Sequence, residues 1–77
     1  MEITLDQLGT GEAAVVKDLT TEPALTRRLK SFGLIPGTLV CCRYKSPCGR
    51  VVSLELRGSV LALRSRDLKK IRGVLYE

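Results

Sequence analysis

Nothing in this chain constrains its fold more than Leu25 to Val40, which reads Leu-Thr-Arg-Arg-Leu-Lys-Ser-Phe-Gly-Leu-Ile-Pro-Gly-Thr-Leu-Val. Leu25, Leu29 and Phe32 recur at i, i+4 and i+7, so one helical face is apolar, while Arg27, Arg28 and Lys30 point elsewhere. Thr21 is placed to accept a hydrogen bond from the free amides of the first turn. Glu22 suits that turn by its charge and Pro23 by its fixed φ, which predicts a helix starting near Glu22. Gly33 can take the left-handed conformation that closes a helix, with Leu34 folding back onto the last turn, so the stop falls at Phe32. Pro36-Gly37 fits the central positions of a type II turn, because Pro presets φ at the first and Gly takes positive φ at the second. An extended run begins at Thr38.

The flanking segments read as short strands. Thr4 and Gln7 have the spacing of a capping box, predicting a single turn over Leu5 to Leu8. Gly9-Thr10-Gly11 breaks it, and Glu12 to Lys17 follows as a strand, with Ala13, Val15 and Lys17 alternating against Ala14 and Val16. Thr38 to Lys45 is a second strand. Leu39, Cys41 and Arg43 face one way, Val40, Cys42 and Tyr44 the other, and the alternation does not say which side is inward. Ser46-Pro47-Cys48-Gly49 is hairpin chemistry. Arg50 to Arg57 shows the clearest alternation, placing Val52, Leu54 and Leu56 on one face. Gly58-Ser59 offers a tight connection to Val60 to Arg64, with Leu61 and Leu63 inward. Ser65 can cap a turn at Arg66 to Lys69, and Ile71 to Leu75 closes the chain.

Close-spaced strands interrupted by one helix suit a small barrel, since closure removes the edges that an open sheet exposes. The expected architecture is therefore mainly β: an SH3-like barrel of about five strands with one central short helix and one or two single-turn helices. At 77 residues it forms one domain over 1–77. With Phe32, Tyr44 and Tyr76 as the aromatic residues, Leu and Val must fill the interior.

Chemistry is narrowed mainly by what is missing. The sequence contains no His, which removes the commonest general base and nitrogen ligand. Gly9 and Gly11 precede a strand without a following Lys-Ser or Lys-Thr, so no phosphate loop is present. These features predict a protein that is not an enzyme and has no small-molecule substrate. No signal-like N-terminus is visible and the longest apolar runs are about four residues, which predicts a cytoplasmic protein without membrane insertion. Three cysteines, an odd and sparse set, agree with a reducing compartment.

Cys41, Cys42 and Cys48 are the candidate thiols for a divalent transition metal. A zinc site wants four ligands, and neighbouring strand residues point to opposite faces, so the expected cofactor is none. A site pooled across two copies in a homo-oligomer stays open. Charge is uneven: residues 1 to 22 carry Glu2, Asp6, Glu12, Asp18 and Glu22 against Lys17, a balance of −4 within a net +5, leaving +9 on the remainder. Such a surface suits nucleic acid, an anionic membrane surface or an acidic protein partner, and charge alone does not choose among them. Three aromatics supply few stacking platforms, which argues against single-strand binding.

Taken together, Arg27-Arg28-Leu29, Phe32-Gly33-Leu34-Ile35-Pro36-Gly37, the Pro47 to Gly49 hairpin and Gly58-Ser59-Val60-Leu61-Ala62-Leu63-Arg64 resemble the FeoA family of small accessory proteins in bacterial ferrous iron uptake. The likeness runs from about Leu5 to Ile71. It departs from the usual pattern at Ser31-Phe32 and at Cys41-Cys42. The resemblance implies an SH3-like barrel that regulates or assembles FeoB, the membrane ferrous iron transporter with a cytoplasmic G domain. On that reading Arg27, Arg28, Leu34 and Pro36 are the partner-contact candidates, and Gly33 and Gly37 hold the turns. The alternatives are a thiol-based metal-binding protein and a small nucleic-acid-binding barrel.

Overall fold

The computed structural model describes residues 1–76. Six antiparallel strands form one sheet: β1 (Glu2–Thr4), β2 (Ala13–Leu19), β3 (Leu39–Lys45), β4 (Val51–Leu56), β5 (Ser59–Arg64) and β6 (Ile71–Tyr76). Their spatial order is β1-β6-β2-β3-β4-β5. Helix α1 (Pro23–Ser31) joins β2 to β3, and the short α2 (Ser65–Leu68) joins β5 to β6. A 3-10 turn at Leu5–Gln7 follows β1. The two edge strands, β1 and β5, are not paired with each other. The ends that follow them meet instead, because α2 rests against the 3-10 turn.

The sixth strand is β1, which the sequence reading did not anticipate. Its three residues are too few to show a period, and they exist as a strand through β6, where Ile3 sits opposite Gly73. Ile3, Leu5 and Leu8 are buried and join the core. Gln7 Oε1 accepts the Thr4 amide at 3.2 Å as expected, but the Thr4 hydroxyl donates to Asp6 Oδ1 at 2.5 Å.

Aliphatic side chains make up almost all of the core: Leu5, Leu8, Val16, Leu34, Val40, Val52, Leu54, Leu56, Leu68 and Ile71 are fully or almost fully buried. Burying a Leu or Ile stabilises the fold by about 1.5–3 kcal/mol relative to leaving it exposed, so these residues dominate the stability. The alternation read in β4 is borne out, with Val52, Leu54 and Leu56 inside. In β3, Val40 and Cys42 face inward, but Tyr44 does not follow them and is 55% exposed. A bulge explains this. Cys42 pairs with Leu54 and Tyr44 with Ser53, so the extra residue Arg43 reverses the alternation, and Lys45 comes to sit opposite Val52. Lys45 Nζ then donates to the Asp6 carbonyl at 3.2 Å.

Two expected caps are not made. Glu22 stands at the N-cap of α1 without a side-chain bond, while the Thr21 hydroxyl meets that of Thr26 at 2.5 Å. The Thr26 hydroxyl donates to the Thr21 carbonyl at 3.0 Å, so it is Thr26 that ties down the helix start. Ser65 is the first residue of α2, preceded by Arg64 at the N-cap.

Candidate functional site

Helix α1 and the turn behind it form the surface that the sequence pointed to. The helix ends as expected. Phe32 is the C-cap, Gly33 has φ +96°, and the Gly33 and Leu34 amides donate to the Lys30 and Leu29 carbonyls, each at 3.0 Å. The Thr38 hydroxyl donates to the Gly33 carbonyl at 2.8 Å, and Thr38 itself is buried. Pro36-Gly37 makes its turn, with Gly37 at φ +94° and the Thr38 amide donating to the Ile35 carbonyl at 3.0 Å. That turn is fastened to β2: the Gly37 amide reaches the Val16 carbonyl at 2.8 Å, and the Val16 amide reaches the Thr38 carbonyl at 2.9 Å.

Side chains of the predicted contact set divide into two groups. Arg27, Arg28 and Pro36 are exposed and free to meet a partner. Leu34 has no exposed surface. Its return onto Leu29 carries it into the core, so it supports the site from below and cannot touch a partner. Phe32 is the converse case. Its helical spacing predicted burial, yet it is 51% exposed, because Leu34 fills the core beneath the end of α1. Phe32 and Arg28 instead line a cleft of about 160 Å³ between α1 and β5, together with Leu25, Leu29, Leu61 and Leu63.

Electrostatics separates this surface from the acidic N-terminal region. Lys17 Nζ contacts Glu2 Oε2 at 2.5 Å, and Arg72 makes a two-pronged bond to Asp18, with Nε to Oδ1 at 2.9 Å. These partners hold the Glu2 and Asp18 carboxyls below their ordinary range, through Lys17 for the first and Arg72 for the second, and they raise Arg72 further. Of the five N-terminal acids, Glu2 and Asp18 are thus answered by cations within the fold. Arg27, Arg28 and Lys30 enter no ion pair among the described residues, so the helix presents unneutralised positive charge.

The thiols are spread over three environments. Cys42 is buried, Cys41 is half-buried on the opposite side of β3, and Cys48 is exposed in the β3–β4 turn. The Cys48 thiol is pushed below its ordinary value by hydrogen bonding, first from Ser46 and then from the Arg50 amide, and it is the exposed one of the three. Among the described residues no three Cys, Asp or Glu side chains are placed to hold a metal ion.

A curled six-stranded antiparallel sheet with a helix between its second and third strands defines a small SH3-like domain. The model of the FeoA domain matches residues 3–74, and the chain belongs to the FeoA family. The FeoA protein of Chlorobium tepidum has a TM-score of 0.93 at 27% identity, over 97% of this chain and 71% of that one. A FeoA-like protein of Clostridium acetobutylicum has 0.84 at 30% identity, over 99% and 90%. The zinc complex of Stenotrophomonas maltophilia FeoA, described as a prokaryotic SH3 domain protein and a candidate ferrous iron transport activating factor, has 0.74 at 29% identity, over 96% and 89%. No curated protein sequence matches the chain.

Proposed function

We infer that this protein is a non-enzymatic accessory module of bacterial ferrous iron uptake, acting in the cytoplasm by docking on the cytoplasmic part of a FeoB-type transporter. The observation that carries this reading is family membership over residues 3–74. The exposed, unneutralised Arg27 and Arg28, with Phe32 beside Arg28 and Pro36 exposed on the turn that follows, form the docking surface of the proposal, and Leu34, Gly33 and Gly37 hold its backbone. An arginine-rich rim beside an exposed aromatic ring is a common composition for an interface hot spot.

The thiol alternative draws less support, since Cys42 lies in the core while Cys41 and Cys48 occupy different parts of the surface. The docking reading is tested by measuring binding of the purified protein to the intact transporter and to its G domain, with and without guanine nucleotide. Reversing charge at Arg27→Glu and Arg28→Glu should weaken binding by about tenfold or more and flatten its salt dependence. Unchanged affinity removes this helix face from the interface. No binding by the folded protein to either form overturns the docking reading itself.

A further inference from the structure

A second group of basic side chains lies at the end of the β4–β5 ladder, apart from Arg27 and Arg28, although one of its members, Arg66, also borders the start of α1 beside Glu22, Leu25 and Asp67. Val51 pairs with Arg64 at the end of that ladder, and the Ser65 amide donates to the Arg50 carbonyl at 2.8 Å. These two links draw together three arginines from different elements: Arg50 just before β4, Arg64 at the end of β5, and Arg66 in α2. With Val51 and Ser65 they line a cavity of about 500 Å³, three times the volume of the cleft beside α1, and no acidic residue lines it.

Three features make this cavity more than a solvated basic face. None of the three guanidiniums enters an ion pair among the described residues, whereas Lys17, Arg43 and Arg72 all do. Three exposed like charges around one concavity raise the local positive potential, which favours an anion there. Each guanidinium also carries planar paired donors that match the oxygens of a phosphate, and Ser65, which lines the same cavity, carries a neutral hydroxyl donor. Val51, 40% exposed, gives the cavity an apolar wall suited to the carbon part of a ligand.

We propose that Arg50, Arg64 and Arg66, with Ser65, form a binding site for a phosphate-bearing anion, gripped by the arginine forks and resting on Val51. Phosphate oxygens of a free diphosphate and of an anionic phospholipid headgroup are the same chemistry here. The site is separate from the helix face invoked for docking and is read on the isolated protein, so its failure leaves the docking reading intact.

The test is a titration of the isolated protein with inorganic pyrophosphate, following backbone amide resonances. A second arm measures sedimentation with vesicles of phosphatidylglycerol against phosphatidylcholine. Saturable pyrophosphate shifts centred on Val51, Ser65 and Arg66, or retention on the anionic vesicles, are the expected results, and the arm that responds identifies the source of the phosphate. Arg64→Gln with Arg66→Gln should weaken that binding by about tenfold or more, while Arg27→Gln with Arg28→Gln leaves it unchanged. Arg64→Lys with Arg66→Lys keeps the charge but loses the forks, and should weaken it as well. Unaltered core resonances report that each variant is folded. Shifts that do not saturate, that fall equally on Arg27 to Lys30, or that survive the lysine substitutions unchanged would overturn the site.

Discussion

Gly73 and Val15 approach so closely that a Cβ atom on residue 73 would stand 2.9 Å from the Val15 carbonyl oxygen, and also 3.2 Å from Leu5 Cδ2. Gly73 is buried in β6 opposite Val16 and Ile3, so it holds three strands together by carrying no side chain. Gly73→Ala must push β6 away from rigid backbone, and it should cost about 1–3 kcal/mol in denaturant unfolding. A variant as stable as the parent would mean that the sheet opens without resistance there.

Gly33 meets a different neighbour. A Cβ there would lie 2.8 Å from Cδ of Arg57, a flexible side chain, but residue 33 also has φ +96°. Two costs are therefore separable. Gly33→Ala should lose about 1–2 kcal/mol from left-handed strain alone. Adding Arg57→Ala should recover only the part due to crowding. Full recovery in the double variant would show that strain contributes nothing.

Leu34 and Phe32 should behave as opposites. Leu34→Ala leaves a cavity in the core beneath the helix and should destabilise by about 2–5 kcal/mol. Phe32→Ala removes a half-exposed ring and should cost about 1 kcal/mol, while weakening transporter binding if the docking face is as proposed. Thermal and denaturant unfolding compare the two directly, and equal losses would return Phe32 to the core.

Acid should expose the Glu2, Asp18, Lys17 and Arg72 cluster. The folded-state values of both carboxyls lie below their ordinary 4.5 and 3.8, so the unfolded chain binds protons first as pH falls. The stabilisation is complete above the ordinary values and is lost as pH falls through the folded ones. Glu2 is exposed and Asp18 partly so, and both are screened by solvent, so the effect is small and should shrink further in high salt. Asp18→Asn should lower stability near neutral pH and lose less than the parent between pH 5 and pH 3. Parallel acid profiles would show that the pair adds nothing.

How far the residues could be read in advance depended on how local their structure is. The end of α1, the Pro36-Gly37 turn and the β3–β4 hairpin were legible because Gly and Pro restrict backbone angles wherever they stand. The core face of β4 was legible because its alternation is unbroken. Tyr44 was not, since the bulge at Arg43 is a register adjustment between β3 and β4 with no signature in either strand. The docking candidates were legible in part. Arg27, Arg28 and Pro36 are on the surface, but helical spacing alone could not tell that Leu34 would take the core position and leave Phe32 outside.

By itself, then, the sequence determined the elements whose conformation is set within a few residues: a short basic helix, its glycine stop, the Pro-Gly turn and a run of short strands. Tertiary structure alone decided which chain ends pair. It made Glu2–Thr4 a strand by offering β6, gave Gly73 its reason, and brought Arg50, Arg64 and Arg66 around one cavity. Those outcomes rest on contacts between residues distant in sequence. Their energies come from backbone pairing and burial, which local propensity does not contain.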